Sequence, residues 1–143
     1  MARDSILRRR KDILQMLGLN GFAPRFHWSH EVERTIVFDA WDHQWERDDK
    51  GARIRYPLRT NGAHYNLAES KQNQRAGHSR WQGHVDLVIN GQRTPRAIVP
   101  VAVDPSAKPN RGAKGWLSLV IDGHVEAEDD GQAWFRVDRE TPL

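Results

Sequence analysis

The chain has 143 residues, no cysteine, and 22 basic against 19 acidic side chains, for a formal net charge of +3. That length supports one domain with its own core, and the missing cysteines exclude disulfides and cysteine-ligated zinc and fit a reducing cytoplasm. No stretch approaches the ~20 apolar residues of a membrane span, and residues 1–19 are too charged for a secretory leader, so a soluble cytoplasmic protein with no membrane partner is expected.

Six Trp, four Phe and two Tyr supply bulky core material despite a hydrophobic content of 38%. Of the cations 17 are Arg and 5 Lys, a bias that a GC-rich bacterial genome produces and that also suits phosphate binding. Charge is uneven along the chain. Residues 1–25 hold six basic and two acidic groups, 93–115 five and one, and 122–143 two and seven.

Asp4 is placed to cap an amphipathic helix over 4–17, in which Ile6, Ile13, Leu14 and Leu17 form the apolar stripe, the run Arg8 to Lys11 is exposed, and Gly18 ends the helix. That basic run can touch nucleic acid, although solvated helix faces look the same. FHWSH follows at 26–30. His27 and His30 are three apart, but no acidic residue at a tight spacing completes a metal signature, so no metal site is expected there.

After a strand over 32–39, residues 36–68 read as a β-meander. Residues 41–47 alternate, with Trp41, His43 and Trp45 on one side; in 52–60, Ile54, Tyr56 and Leu58 oppose Arg53, Arg55 and Arg59. An even-length loop pairs Trp45 with Ile54, His43 with Tyr56 and Glu46 with Arg53. A three-residue loop with Gly51 left-handed sets Gln44 beside Tyr56 instead, and the apolar pattern favours the even loop. Asn61-Gly62 then forms a hairpin that sets Leu58 opposite Tyr65. The Trp41, Trp45, Tyr56, Tyr65 cluster reads as core or as the wall of a pocket for a flat ligand. The other face gathers Arg53, Arg55, Arg59 and His64.

Residues 69–84 have almost no aliphatic side chains and read as a long polar loop bearing Lys71, Arg75, His78, Arg80 and Trp81, a mix that tracks phosphates and stacks on a base. Strands are expected over 84–103, with Val85, Leu87 and Ile89 inward and Pro100 forcing an edge or a bulge. A second basic loop at 104–115 carries Lys108, Arg111 and Lys114. A second meander over 116–138 uses Asp122-Gly123 as a hairpin, pairing Val120 with Val125, then a three-residue loop with Gly131 left-handed, pairing Ala127 with Ala133 and Val125 with Phe135.

The expected fold is α+β, mostly β: a small antiparallel barrel or sandwich of about eight short strands with one N-terminal helix, as a single domain over 1–143. The expected function is nucleic-acid binding, to DNA or RNA, through Arg53, Arg55, Arg59, His64, Lys71, Arg75, His78, Arg80, Trp81, Lys108, Arg111 and Lys114. One alternative is a metal-dependent nuclease, with Asp42, Glu69 and Lys71 or His84 and Asp86 around a divalent ion. The other is a module that meets a protein partner through its acidic C-terminal part. No GxSxG, GxxxxGK[ST] or GxGxxG is present, so serine-elbow hydrolysis, P-loop chemistry and dinucleotide cofactors are unsupported.

Overall fold

The computed structural model describes residues 7–19, 28–59, 72–107 and 112–143, with side chains in the longer helix from residue 77 onward. In chain order the elements are β1 (Leu7–Arg8), α1 (Arg10–Met16), β2 (Ser29–Val32), β3 (Thr35–Asp39), a 3₁₀ turn (Asp42–Gln44), β4 (Glu46–Arg47), β5 (Arg53–Pro57), α2 (Gln72–Ile89), β6 (Thr94–Ile98), β7 (Pro100–Ala102), β8 (Ala113–Leu117), β9 (Leu119–Ala127) and β10 (Ala133–Pro142). They build a seven-stranded sheet in the order β2-β3-β6-β9-β10-β5-β4 and a three-stranded sheet in the order β1-β8-β7. The fold is α+β and mostly β, but neither sheet closes into a barrel and a second helix is present.

The expected pairs Ala127↔Ala133 and Val125↔Phe135 are formed, and Gly131 takes the left-handed conformation at φ +93°. The expected hairpin at Asp122-Gly123 is not. Strand β9 runs straight through both residues, and Val120 pairs with Thr141 rather than Val125. Gly123 is there for close approach: a Cβ on it would lie 2.2 Å from the Arg136 carbonyl oxygen and 2.6 Å from Phe135 Cζ. A glycine in a strand pattern marks either a turn or a crowded backbone, and only packing distinguishes them.

One antiparallel ribbon links the sheets. In the larger sheet β6 pairs with β9 (Ala97↔Ile121); in the smaller, β7 pairs with β8 (Pro100↔Trp116). The ribbon passes from one to the other at Val99 and Ser118, where the Leu117 amide still donates to the Val99 carbonyl. Pro100, which lacks a donor, begins an edge strand, as its chemistry requires.

Successive residues of a strand face opposite sides. Ile36, Phe38, Ala97, Ile121 and Phe135 meet Trp81, Val85 and Val88 of α2 in one core, whereas Val37, Ile98 and Val120 meet Ile13 and Leu14 of α1 in another. The helices therefore cover opposite faces of the seven-stranded sheet.

Helix α2 replaces both the expected loop over 69–84 and the strand that was to follow. Trp81, Val85 and Val88 recur at helical spacing and are all buried, while Ile89, assigned inward at a period of two, is exposed. Asn90-Gly91 ends the helix: Gly91 has φ +75°, and the Gln92 amide donates to the Leu87 carbonyl. Helix α1 begins at Arg10 rather than residue 4, because Leu7–Arg8 pairs with β8; Gly18, at φ +99°, ends it as expected. Asp4 and Ile6 lie outside the described residues.

The strand expected over 41–47 is reduced to β4, preceded by the 3₁₀ turn. Asp48 caps the loop by accepting the amides of Lys50 and Ala52, Gly51 is left-handed at φ +87°, and Arg47 pairs with Arg53, which is the three-residue loop. A bulge then sets Glu46 against Arg55, not Arg53. The apolar pattern misled because 42–44 is not a strand and has no register to protect. Tyr56 donates its hydroxyl to Gln44, and Trp45, Tyr56 and Leu58 are buried. Trp45 packs on Tyr56 and Phe135 with ring centroids 5.1 and 5.9 Å apart, so this part of the aromatic cluster is core. The Asn61-Gly62 hairpin and Tyr65 lie outside the described residues.

Replacing Gly123 by Ala is expected to destabilise the fold by about 3 kcal/mol, read as a lower urea midpoint at unchanged slope. Glu33, in the two-residue β2–β3 turn, holds φ +57°; Glu33→Gly is expected to raise stability by up to about 1 kcal/mol in the same measurement.

Candidate nucleic-acid interface

Arg53 and Arg55 of β5, and Arg59 just beyond it, are all held by carboxylates of the same chain. Arg53, whose side chain is only 7% exposed, bridges Asp42 and Glu140 at 3.0 Å each. Arg55 donates to Glu46 at 2.8 Å, reaches Glu128 at 3.6 Å, and lies 3.7 Å over the Trp134 ring. Arg59 donates to Gln82 and, at 2.7 Å, to Asp86. Glu128 and Glu140 of the acidic C-terminal part, together with Asp42, Glu46 and Asp86, thus face the arginines expected to bind anions.

Helix α2 brings the other expected residues to different surroundings. The Trp81 indole is 1% exposed, donates to the Leu58 carbonyl at 2.7 Å and meets Phe38 edge-on, so it is not a surface stacking residue. Burial holds His78 below the usual histidine range, leaving it neutral at pH 7. Arg80 donates to the Ser29 carbonyl. His84 is buried and shares a 2.6 Å hydrogen bond with Ser29, whereas Asp86 is exposed beside Arg59. Residues two apart on a helix face different directions, so His84 and Asp86 form no catalytic pair. Asp42, proposed as a metal ligand, already accepts Arg47 and Arg53. The side chain of Arg75, and the whole of His64, Glu69, Lys71, Lys108 and Arg111, lie outside the described residues.

A different set of cations comes together at the small sheet. Pairing of Leu7 with Leu117 and Arg8 with Trp116 sets Arg8 beside the strand that carries Lys114, with Arg9, Arg10 and Lys11 following into α1. Gly115 makes this possible, since a Cβ there would lie 2.6 Å from that of Leu7. Arg8, Arg9, Lys11 and Lys114 are exposed and Arg10 is half-buried. Arg8 donates to Ser118 at 2.7 Å, and Arg9 pairs with Asp12. From Lys114 the chain runs through β8 and β9 to Glu126, up to about 40 Å away at ~3.3 Å per residue. The exposed carboxylates Glu126, Glu128, Asp129 and Asp130 sit there, around the β9–β10 turn. The described cations of the first basic run and Lys114 thus lie on β1, α1 and β8, and these four carboxylates on and after the far end of β9.

No protein-family model, curated protein or solved structure matches this chain.

Between these two ends, Asp122 accepts Arg96 at 2.8 Å and Arg139 at 3.2 Å. Burial raises its carboxyl, but the two arginine hydrogen bonds outweigh it and hold the group below the usual range. A depressed folded value stabilises above the unfolded one and is lost as pH falls through the folded one. Wild-type stability is thus expected to fall more steeply below about pH 4 than that of Asp122→Asn, measured by urea unfolding across pH.

Proposed function

We propose that this is a cytoplasmic nucleic-acid-binding protein that contacts the phosphate backbone through its basic end, with Lys11 and Lys114 as contacts and Arg8, Arg9 and Arg10 setting the local potential. The observation that supports this reading is the β1–β8 pairing, which sets Arg8, at the start of the N-terminal basic run, beside the strand that carries Lys114. A clustered positive potential attracts a polyanion and releases its counterions on binding. Arg53, Arg55 and Arg59 have no part in this contact, because each already faces a carboxylate of the same chain.

Binding to labelled duplex DNA, single-stranded DNA and RNA at several salt concentrations tests the proposal. Affinity is expected to fall steeply with salt, and replacing Lys11 and Lys114 together by Ala to lower the slope of log affinity against log salt by about 2. Arg59→Gln is expected to leave that slope unchanged. Absence of binding at low salt, or a slope indifferent to the lysines, would remove the reading.

A further inference from the structure

Strand β8 runs through the basic end and carries one tryptophan, Trp116, whose surroundings differ from those of Trp45, Trp81 and Trp134. In the core, Trp45 Nε1 donates to the Ala40 carbonyl at 3.1 Å and Trp81 Nε1 to the Leu58 carbonyl at 2.7 Å. Trp134 Nε1 is unpaired, but its ring lies under the Arg55 guanidinium, 3.7 Å away. Trp116 has neither restraint. It is half-buried, its Nε1 is shielded from water without a hydrogen-bond partner, and no guanidinium or ring among the described residues stacks on it. Its buried part packs against the core around Ile13 and Leu14.

Arg8 stands directly opposite Trp116 in the β1–β8 register, so the two side chains share a face of the small sheet. Lys114 is two residues back on the same strand, and both cations are exposed. A partly exposed tryptophan beside exposed cations can hold a strand by its bases as well as by its phosphates. Every base has a flat face to lay on an indole, while the cations follow the backbone. A duplex keeps those faces stacked inside the helix and offers the indole none of them.

We propose that the basic end takes single-stranded nucleic acid, with Trp116 as the residue on which one base stacks. The inference rests on the reading of this end as a phosphate contact and adds to it the class of strand and the residue that selects it. The sequence points to Trp81 for this duty, but Trp81 fills the α2 core and Trp116 stands among the cations in its place. Because no hydrogen bond pins the Trp116 indole, it can adjust to a base without breaking one.

The test measures binding of the full chain to a single-stranded DNA, the RNA of the same sequence, the corresponding duplex, and a single-stranded DNA made abasic throughout. At about 200 mM salt, where phosphate contacts are weakened, both intact single strands are expected to bind about tenfold tighter than the abasic strand, and tighter than the duplex. The tighter of the two distinguishes DNA from RNA as the ligand. Trp116→Leu keeps an apolar side chain against Ile13 and Leu14. It should cost about tenfold on the intact single strands while leaving abasic and duplex binding, and the salt slope, unchanged. Trp116→Phe, which retains a stacking face, should recover most of that loss. An intact strand that binds no tighter than the abasic one, or an affinity indifferent to Trp116→Leu, would overturn the stacking, while a salt slope that still responds to Lys11 and Lys114 leaves the phosphate reading standing. No binding to any of the four at low salt removes both. If Trp116→Leu does not fold, the abasic comparison on the wild-type chain decides alone.

Discussion

The fold depends on the long pairing of β9 with β10, from Ala127↔Ala133 to Leu119↔Pro142, with one bulge in β10 between Val137 and Arg139. The pairing carries β9 through the centre of the large sheet, where Ile121 faces the α2 core and Val120 the α1 core. It requires that nothing larger than hydrogen project from Gly123 toward Phe135 and Arg136. With β9 continuing through that point without a turn, the change of sheet falls at Ser118, between the end of β8 and the start of β9. There the Ser118 hydroxyl donates to the Leu143 carbonyl and accepts Arg8, so the basic N-terminal run is tied to the same corner. A turn at Asp122-Gly123 would have ended β9 in mid-sheet.

Electrostatics then follow from topology. Strand β10 carries Glu140 to Arg53, and the turn that follows β9 carries Glu128 to Arg55. A guanidinium as enclosed as that of Arg53 needs its carboxylates, since a buried unpaired charge is far costlier than a paired one. Arginines that look like an anion-binding row in sequence are thus part of the sheet's internal ion pairing. The polyanion contact proposed above therefore uses cations of β1, α1 and β8 instead, of which Lys11 and Lys114 are exposed.

Two buried histidines illustrate how differently similar groups are used. His84, on α2, has a hydroxyl partner in Ser29 and pins the helix to the edge strand β2. His30, one residue further along the same strand, points to the other face and meets a carboxylate at a distance that is not a hydrogen bond. The alternation of strand faces alone sends Ser29 toward α2 and His30 to the other side of the sheet, where it meets Asp39.

Some of this was legible in the residues. The Ala127↔Ala133 register, the left-handed Gly131, the stop at Gly18 and the edge position of Pro100 all rest on local chemistry: turn geometry, the freedom of glycine, the missing proline donor. Whether Gly123 turns or packs, whether Trp81 stacks outside or fills a core, and whether Arg53 meets a phosphate or Glu140 depended on partners far away in the chain. Helix α2 shows the same limit. Its Trp81, Val85 and Val88 stripe was present in sequence, but the competing alternation of Val85, Leu87 and Ile89 is as good over so short a stretch. Only burial against Phe38 and Ile121 chooses between them, because apolar surface is removed from water by contacts that local spacing does not contain.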